Sequence, residues 1–102
     1  MSLTPQLPSR ESLTVEFKSD RARLSDRDLV EAVVCLANAD GGDLWLGVED
    51  DGRPTGLHIE HRQLAGLVGL VAARTSPSLN VSVTPVDLLG VQVACIDRKS
   101  VV

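Results

Sequence analysis

At 102 residues, the chain has room for one domain around one hydrophobic core. Its formal net charge of −4 argues against broad electrostatic binding of DNA, so any strand contact needs a local basic cluster, a metal ion or a neighbouring domain. Tyrosine is absent and Phe17 and Trp45 are the only aromatics, which excludes an aromatic platform of the kind that grips single strands.

No run approaches the roughly 20 apolar residues of a membrane helix. The stretch Leu64 to Ala73 is too short and is interrupted by two glycines. The first residues lack a basic start followed by an apolar run, so no signal peptide is expected and the expected location is cytoplasmic. Cys35 and Cys95 are too few for a disulfide framework or a zinc site. Both sit in apolar runs and are expected to be small buried hydrophobes.

Residues 1–10 carry Pro5 and Pro8 and read as an extended arm. Leu13, Val15 and Phe17 alternate with Thr14, Glu16 and Lys18, which predicts a strand. Ser19 to Ser25 is polar and predicts a loop. Ser25 followed by Asp28 resembles a capping box. Leu29, Val33, Leu36 and Ala37 then form one helical stripe, widened by Val30 and Val34, which predicts a helix of about three turns ending near Asn38. Gly41-Gly42 is expected to cap it. A second strand follows, with Leu44, Leu46 and Val48 on one face and Trp45, Gly47 and Glu49 on the other. Gly47 inside that strand is expected to mark a bulge or the close approach of another segment. Asp50 to Pro54 predicts a turn.

Leu64, Leu67, Val68 and Val71 predict a second helix from about Glu60 to Arg74. Gly66 and Gly69 weaken it, and their expected use is close packing against a sheet. Ser76-Pro77 ends it. Asn80 to Val86 predicts a strand with Val81, Val83 and Pro85 on one face, Leu89-Gly90 a turn, and Val91 to Ile96 a last strand that completes a hairpin. The expected fold is α/β: strand, helix, strand, helix, strand, strand, in a four-stranded mixed sheet with both helices mainly on one face. The other face then needs cover. Trp45 is expected there, which implies a homodimer or a further domain. Residues 11–97 form the expected domain, and 98–102 a short tail expected to continue in a longer protein.

Three segments resemble a known family. Glu11-Ser12 with Glu16-Phe17-Lys18 resembles its opening signature. Asn38-Ala39-Asp40-Gly41-Gly42 resembles its helix end and double glycine. Leu44 to Gly52, followed by Gly56-Leu57, resembles its central strand and turn. In this order they are similar to the Schlafen AlbA domain, over about Arg10 to Ile96. The resemblance implies a DNA-binding domain at the N-terminus of a longer transcriptional regulator. Some animal Schlafens are instead endoribonucleases that use three acids. The resemblance places two of these at Glu11 and Glu16 and the third after the central strand, where the usual Asp is replaced by Glu49 and followed by Asp50 and Asp51. No phosphate-binding Gly-x-x-x-x-Gly-Lys loop is present.

Three readings follow. In the first, the chain is a nucleic-acid-binding regulatory module, for DNA or RNA, with Arg10, Lys18, Arg21, Arg23 and Arg27 on phosphates and no cofactor; Arg53 could add to them from its turn. In the second, it is a metal-dependent ribonuclease, with Glu11, Glu16 and Glu49 or Asp50 on magnesium or manganese and Lys18 steadying charge at the phosphate. The plainer alternative for these acids is a Glu16–Lys18 pair on one strand face and a turn at Asp50-Asp51, which favours a binding module over an enzyme. In the third, Trp45 and an open sheet face bind a protein partner; the other expectation for Trp45 is a place in the core, since one tryptophan does not make a stacking platform. His58 and His61 lack a third ligand and are expected at a solvated helix start.

Overall fold

The computed structural model describes residues 5–38 and 41–98. Ala39 and Asp40 of the double-glycine segment, the first four residues of the arm and 99–102 of the tail lie outside the described residues. The elements run β1 (Val15–Lys18), α1 (Asp26–Asn38), β2 (Asp43–Leu46), a 3-10 turn (Ile59–His61), α2 (Leu64–Arg74), β3 (Val81–Leu88) and β4 (Val91–Arg98). The sheet order is β1-β2-β4-β3, with β1 parallel to β2 and the other pairs antiparallel. The mixed sheet and the element order are those the periodicity predicts.

Helix α1 starts where its cap dictates. Ser25 Oγ accepts the Asp28 N–H at 3.1 Å, a contribution of about 1 kcal/mol. Its stripe of Leu29, Ala32, Val33 and Leu36 is buried, together with Leu67 and Val71 of α2, against Leu44, Leu46, Ala94, Ile96 and Val81 of the sheet. Both helices therefore lie on one face. At the end of α1 the Gly41 N–H donates to Leu36 O at 2.8 Å. Gly42 is needed for a different reason: a Cβ there would stand 2.5 Å from the Thr14 carbonyl oxygen, where the chain pairs with the lead-in to β1.

Four details depart from the sequence expectation. Strand β1 begins at Val15, because Ser12 and Val15 bond each other in a tight turn that leaves Leu13 90% exposed. Strand β2 stops at Leu46, because Gly47 takes φ +97°. That kink reverses the alternation, so Val48 packs with Trp45 and not with Leu46. The close approach expected at Gly47 is made by the chain's own Thr55–Leu57 segment: a Cβ on Gly47 would meet the Gly56 carbonyl carbon at 2.9 Å. Third, the predicted second helix divides into the 3-10 turn and α2, and Gly66 and Gly69 point to solvent with nothing within 4 Å, since the α2 stripe that faces the core is Leu67 and Val71.

The fourth correction concerns the second sheet face. Trp45 is fully buried there, with Phe17, Val48, Val86, Val93 and Cys95. Leu7 of the arm packs on this cluster, as do Val15, Leu88 and Val91. The chain covers its own sheet, so Trp45 is core and is not an exposed contact for a partner. Of the two cysteines only Cys95 is buried; Cys35 is exposed, off the α1 core stripe. Among the described residues no helix is long and apolar enough to cross a membrane.

Candidate nucleic-acid interface

Strands β1 and β2 run parallel, so their carboxyl ends open on the same side of the molecule, the usual place for ligands in such sheets. The loop after β1 and the loop after β2 meet there. Gly47 and Val48 both donate their N–H to Lys18 O, at 2.8 and 3.3 Å. The Glu49–Arg53 turn closes on itself through Glu49 N–H to Arg53 O at 2.9 Å and Arg53 N–H to Asp51 Oδ1 at 2.9 Å. The arm passes over this turn, with Ser9 O against Gly52.

One buried carboxylate fixes the geometry. Asp20 is wholly buried; its Oδ1 accepts the Leu24 N–H and its Oδ2 the His58 N–H, each at 2.8 Å. His61 is 3% exposed, and its Nδ1 lies 2.8 and 3.0 Å from the two Asp20 oxygens. A carboxylate accepts, so Nδ1–H donates. The His61 Nε2 is buried without a partner among the described residues. His61 is thus a strut between two loops and not a solvated helix start; only His58 caps the 3-10 turn, accepting the Glu60 N–H at 3.2 Å. Sequence reading missed Asp20, because its partners lie 38 and 41 residues away.

Glu49 sits among polar partners. Its Oε2 accepts the Thr55 hydroxyl at 2.6 Å. A hydrogen bond from Ser19, then the one from Thr55, hold its carboxyl below the ordinary carboxylate range, with help from the charges of Arg21 and Arg53. Ser19 and Thr55 carried no signal in the sequence beyond lying in polar loops.

The cations divide into two groups. Lys18 pairs with Glu16 at 3.2 Å, Arg23 with Asp26 at 2.9 Å and Glu60 at 3.7 Å, and Arg27 with Glu31 at 3.1 Å. Arg10, Arg21 and Arg53 are exposed and have no ion pair among the described residues.

The acids named for a metal site are separated in their duties. Glu11 accepts the Phe17 N–H at 2.8 Å, closing the free edge of β1. Glu11, Glu16 and Cys35 line one groove of about 380 Å³, which Glu49 and Asp50 do not line. Asp50 is exposed in the turn. Among the described residues no three His, Cys, Asp or Glu side chains are grouped to hold a metal ion.

A family model described as Schlafen, AlbA_2 matches residues 11–101. The chain belongs to the Schlafen AlbA_2 family. Within the solved structures, this Schlafen AlbA_2 domain is similar to the DIP2311 protein of Corynebacterium diphtheriae, at 25% identity and a TM-score of 0.69. The match covers 83% of this chain and 20% of that one, so the domain spans about a fifth of the Corynebacterium protein's length. No curated protein matches.

Proposed function

We propose that this Schlafen AlbA_2 domain binds nucleic acid through its phosphates, as the DNA-binding regulatory module of a longer protein. Arg21 and Arg53 make the principal contacts and Arg10 a third. What most supports the reading is that Arg21 and Arg53, which have no ion pair among the described residues, both act on Glu49 at the carboxyl ends of β1 and β2, in a family linked to nucleic acid. An arginine already held by a carboxylate has to give up that bond to reach a phosphate; an unpaired one does not. Glu49 is partly satisfied by two hydroxyls, so it orients the arginines around it without closing an ion pair. The proposed binding asks for no metal ion.

Anisotropy titrations with duplex DNA and with RNA, at low and at moderate salt, test this. Binding is expected at low salt and weakens as salt rises, and Arg21→Ala with Arg53→Ala weakens it for every sequence alike. An absence of binding to both polymers at low salt, or binding indifferent to the double substitution, overturns the proposal.

A further inference from the structure

Beside the arginine cluster, at the turn end of the β3–β4 hairpin, lies a pocket of about 370 Å³. This is near the lower bound of the about 300–1,000 Å³ usual for small-ligand sites, the scale of one base with its sugar. Asp87 and Gln92 are directly opposed across the hairpin, in phase with Val83 and Ala94 on the helix side of the sheet. Arg62 enters from the loop between the 3-10 turn and α2. Leu57 and Val91 supply apolar wall, and Leu57 N–H donates to Gln92 O at 2.8 Å. Thr55 lines the pocket and also bonds Glu49, so the pocket and the arginine cluster share a wall. The Asp20–His61 strut holds Arg62's loop to the loop that carries Ser19 and Arg21.

Arg62 and Asp87 face one cavity, yet form no ion pair with each other or with any described residue. A cation and an acid that line one cavity, neither satisfied by the other, leave a gap that presents a donor fork and an acceptor pair. We propose that this pocket takes an unpaired guanine of a bound strand, a step that rests on the phosphate binding proposed above. Asp87 accepts from guanine N1–H and the 2-amino group. Arg62, aided by the Gln92 amide, donates to O6 and N7. The other bases fit this pattern poorly. Adenine and cytosine present a ring-nitrogen acceptor where the carboxylate needs a donor, and thymine or uracil offers a single N–H between two carbonyls. Pairing in a duplex engages guanine N1–H and the 2-amino group, the edge that Asp87 needs, so the proposed ligand is single-stranded.

The test compares single strands of one length and backbone, one free of guanine, one carrying it at a few positions, one carrying hypoxanthine there, each as DNA and as RNA. The guanine strand is expected to bind about tenfold tighter or more than the guanine-free strand, as one two-point base contact provides. Hypoxanthine, which lacks the 2-amino group, falls between them. Asp87→Asn brings the ratio of the two affinities close to one, while the guanine-free strand remains bound. A preference in only one of the DNA and RNA series identifies the polymer. Equal binding of all strands overturns the guanine pocket and leaves phosphate binding standing. If no strand binds, the phosphate reading fails and the pocket with it.

Discussion

Asp20 and Asp43 show how differently two carboxyl groups behave in one small domain. Asp20 is satisfied by three donors from two loops. Asp43 stands directly across β2–β4 from Asp97, an arrangement that sheets avoid. Burial first, then the Asp97 charge and a hydrogen bond shared with it, raise the Asp43 carboxyl above the ordinary 3.8. The same two acids, behind burial, push the Cys95 thiol up to about 12, so Cys95 stays protonated and inert. The raised Asp43 value means that the folded chain binds this proton more tightly than the unfolded one. Below 3.8 both states carry it and stability is unaffected. As pH climbs from there through the raised value, the unfolded chain releases it first and stability falls, then levels. Asp43→Asn removes the charge and keeps a donor for Asp97. The variant should be more stable than the wild type near neutrality, by up to about 1 kcal/mol after allowing for solvent screening of a half-exposed pair. Urea unfolding should show that advantage shrinking as pH falls through the raised value; an advantage equally large in acid would contradict the assignment.

At the scale of elements, the glycines do opposite work. Gly47 turns the chain out of β2 against Gly56, so Gly47→Ala meets both a left-handed backbone and a carbonyl carbon at 2.9 Å. A loss of about 2 kcal/mol or more is expected. Gly69 lies exposed inside α2 with open space where a Cβ would go, so Gly69→Ala should gain about 0.5–1 kcal/mol. Denaturant midpoints should move in opposite directions; a stabilising Gly47→Ala would refute the kink's role. These two positions also mark what periodicity can and cannot reveal. Helix α1, the α2 stripe and the β3–β4 hairpin were legible, because each is specified by neighbours within a few residues. The reversal at Val48 was not, because it depends on Thr55–Leu57 returning to Gly47. The cover over Trp45 was hidden for the same reason, since Leu7 reaches it from a segment with no pattern of its own. The site was legible in part. A basic cluster around Arg10 to Arg27 stands out in the sequence, yet which members are tied up depends on Glu16, Asp26, Glu31 and Glu60. The pocket of Arg62, Asp87 and Gln92 joins two distant stretches of chain, which no local spacing announces.

The whole molecule is acidic, at −4, so a nucleic acid approaching it meets net repulsion away from the arginine end. Asp50 and Asp51 lie in the same turn as Arg53 and reduce the local excess further. Few phosphates can then be neutralised, and the dependence of affinity on salt should be correspondingly shallow. Sequence alone treats Arg23 as equal to Arg21, two residues away. The fold separates them. Arg23 bridges Asp26 of α1 and Glu60 of the 3-10 turn, and Asp26 in turn meets Arg74 of α2 at 3.9 Å. Its charge is spent holding helices together, while Arg21 is free at the loop surface. Removing a cation that contacts a phosphate lowers the slope of log affinity against log salt by about 0.7–0.9. Arg53→Ala should therefore flatten that slope by this amount and weaken binding to all sequences. Arg23→Ala should leave the slope where it was and lower the unfolding midpoint slightly, in keeping with a surface ion-pair network. Equal flattening by the two substitutions would mean that Arg23 leaves its carboxylates to meet the strand, and that the bound footprint extends along the loop toward α1.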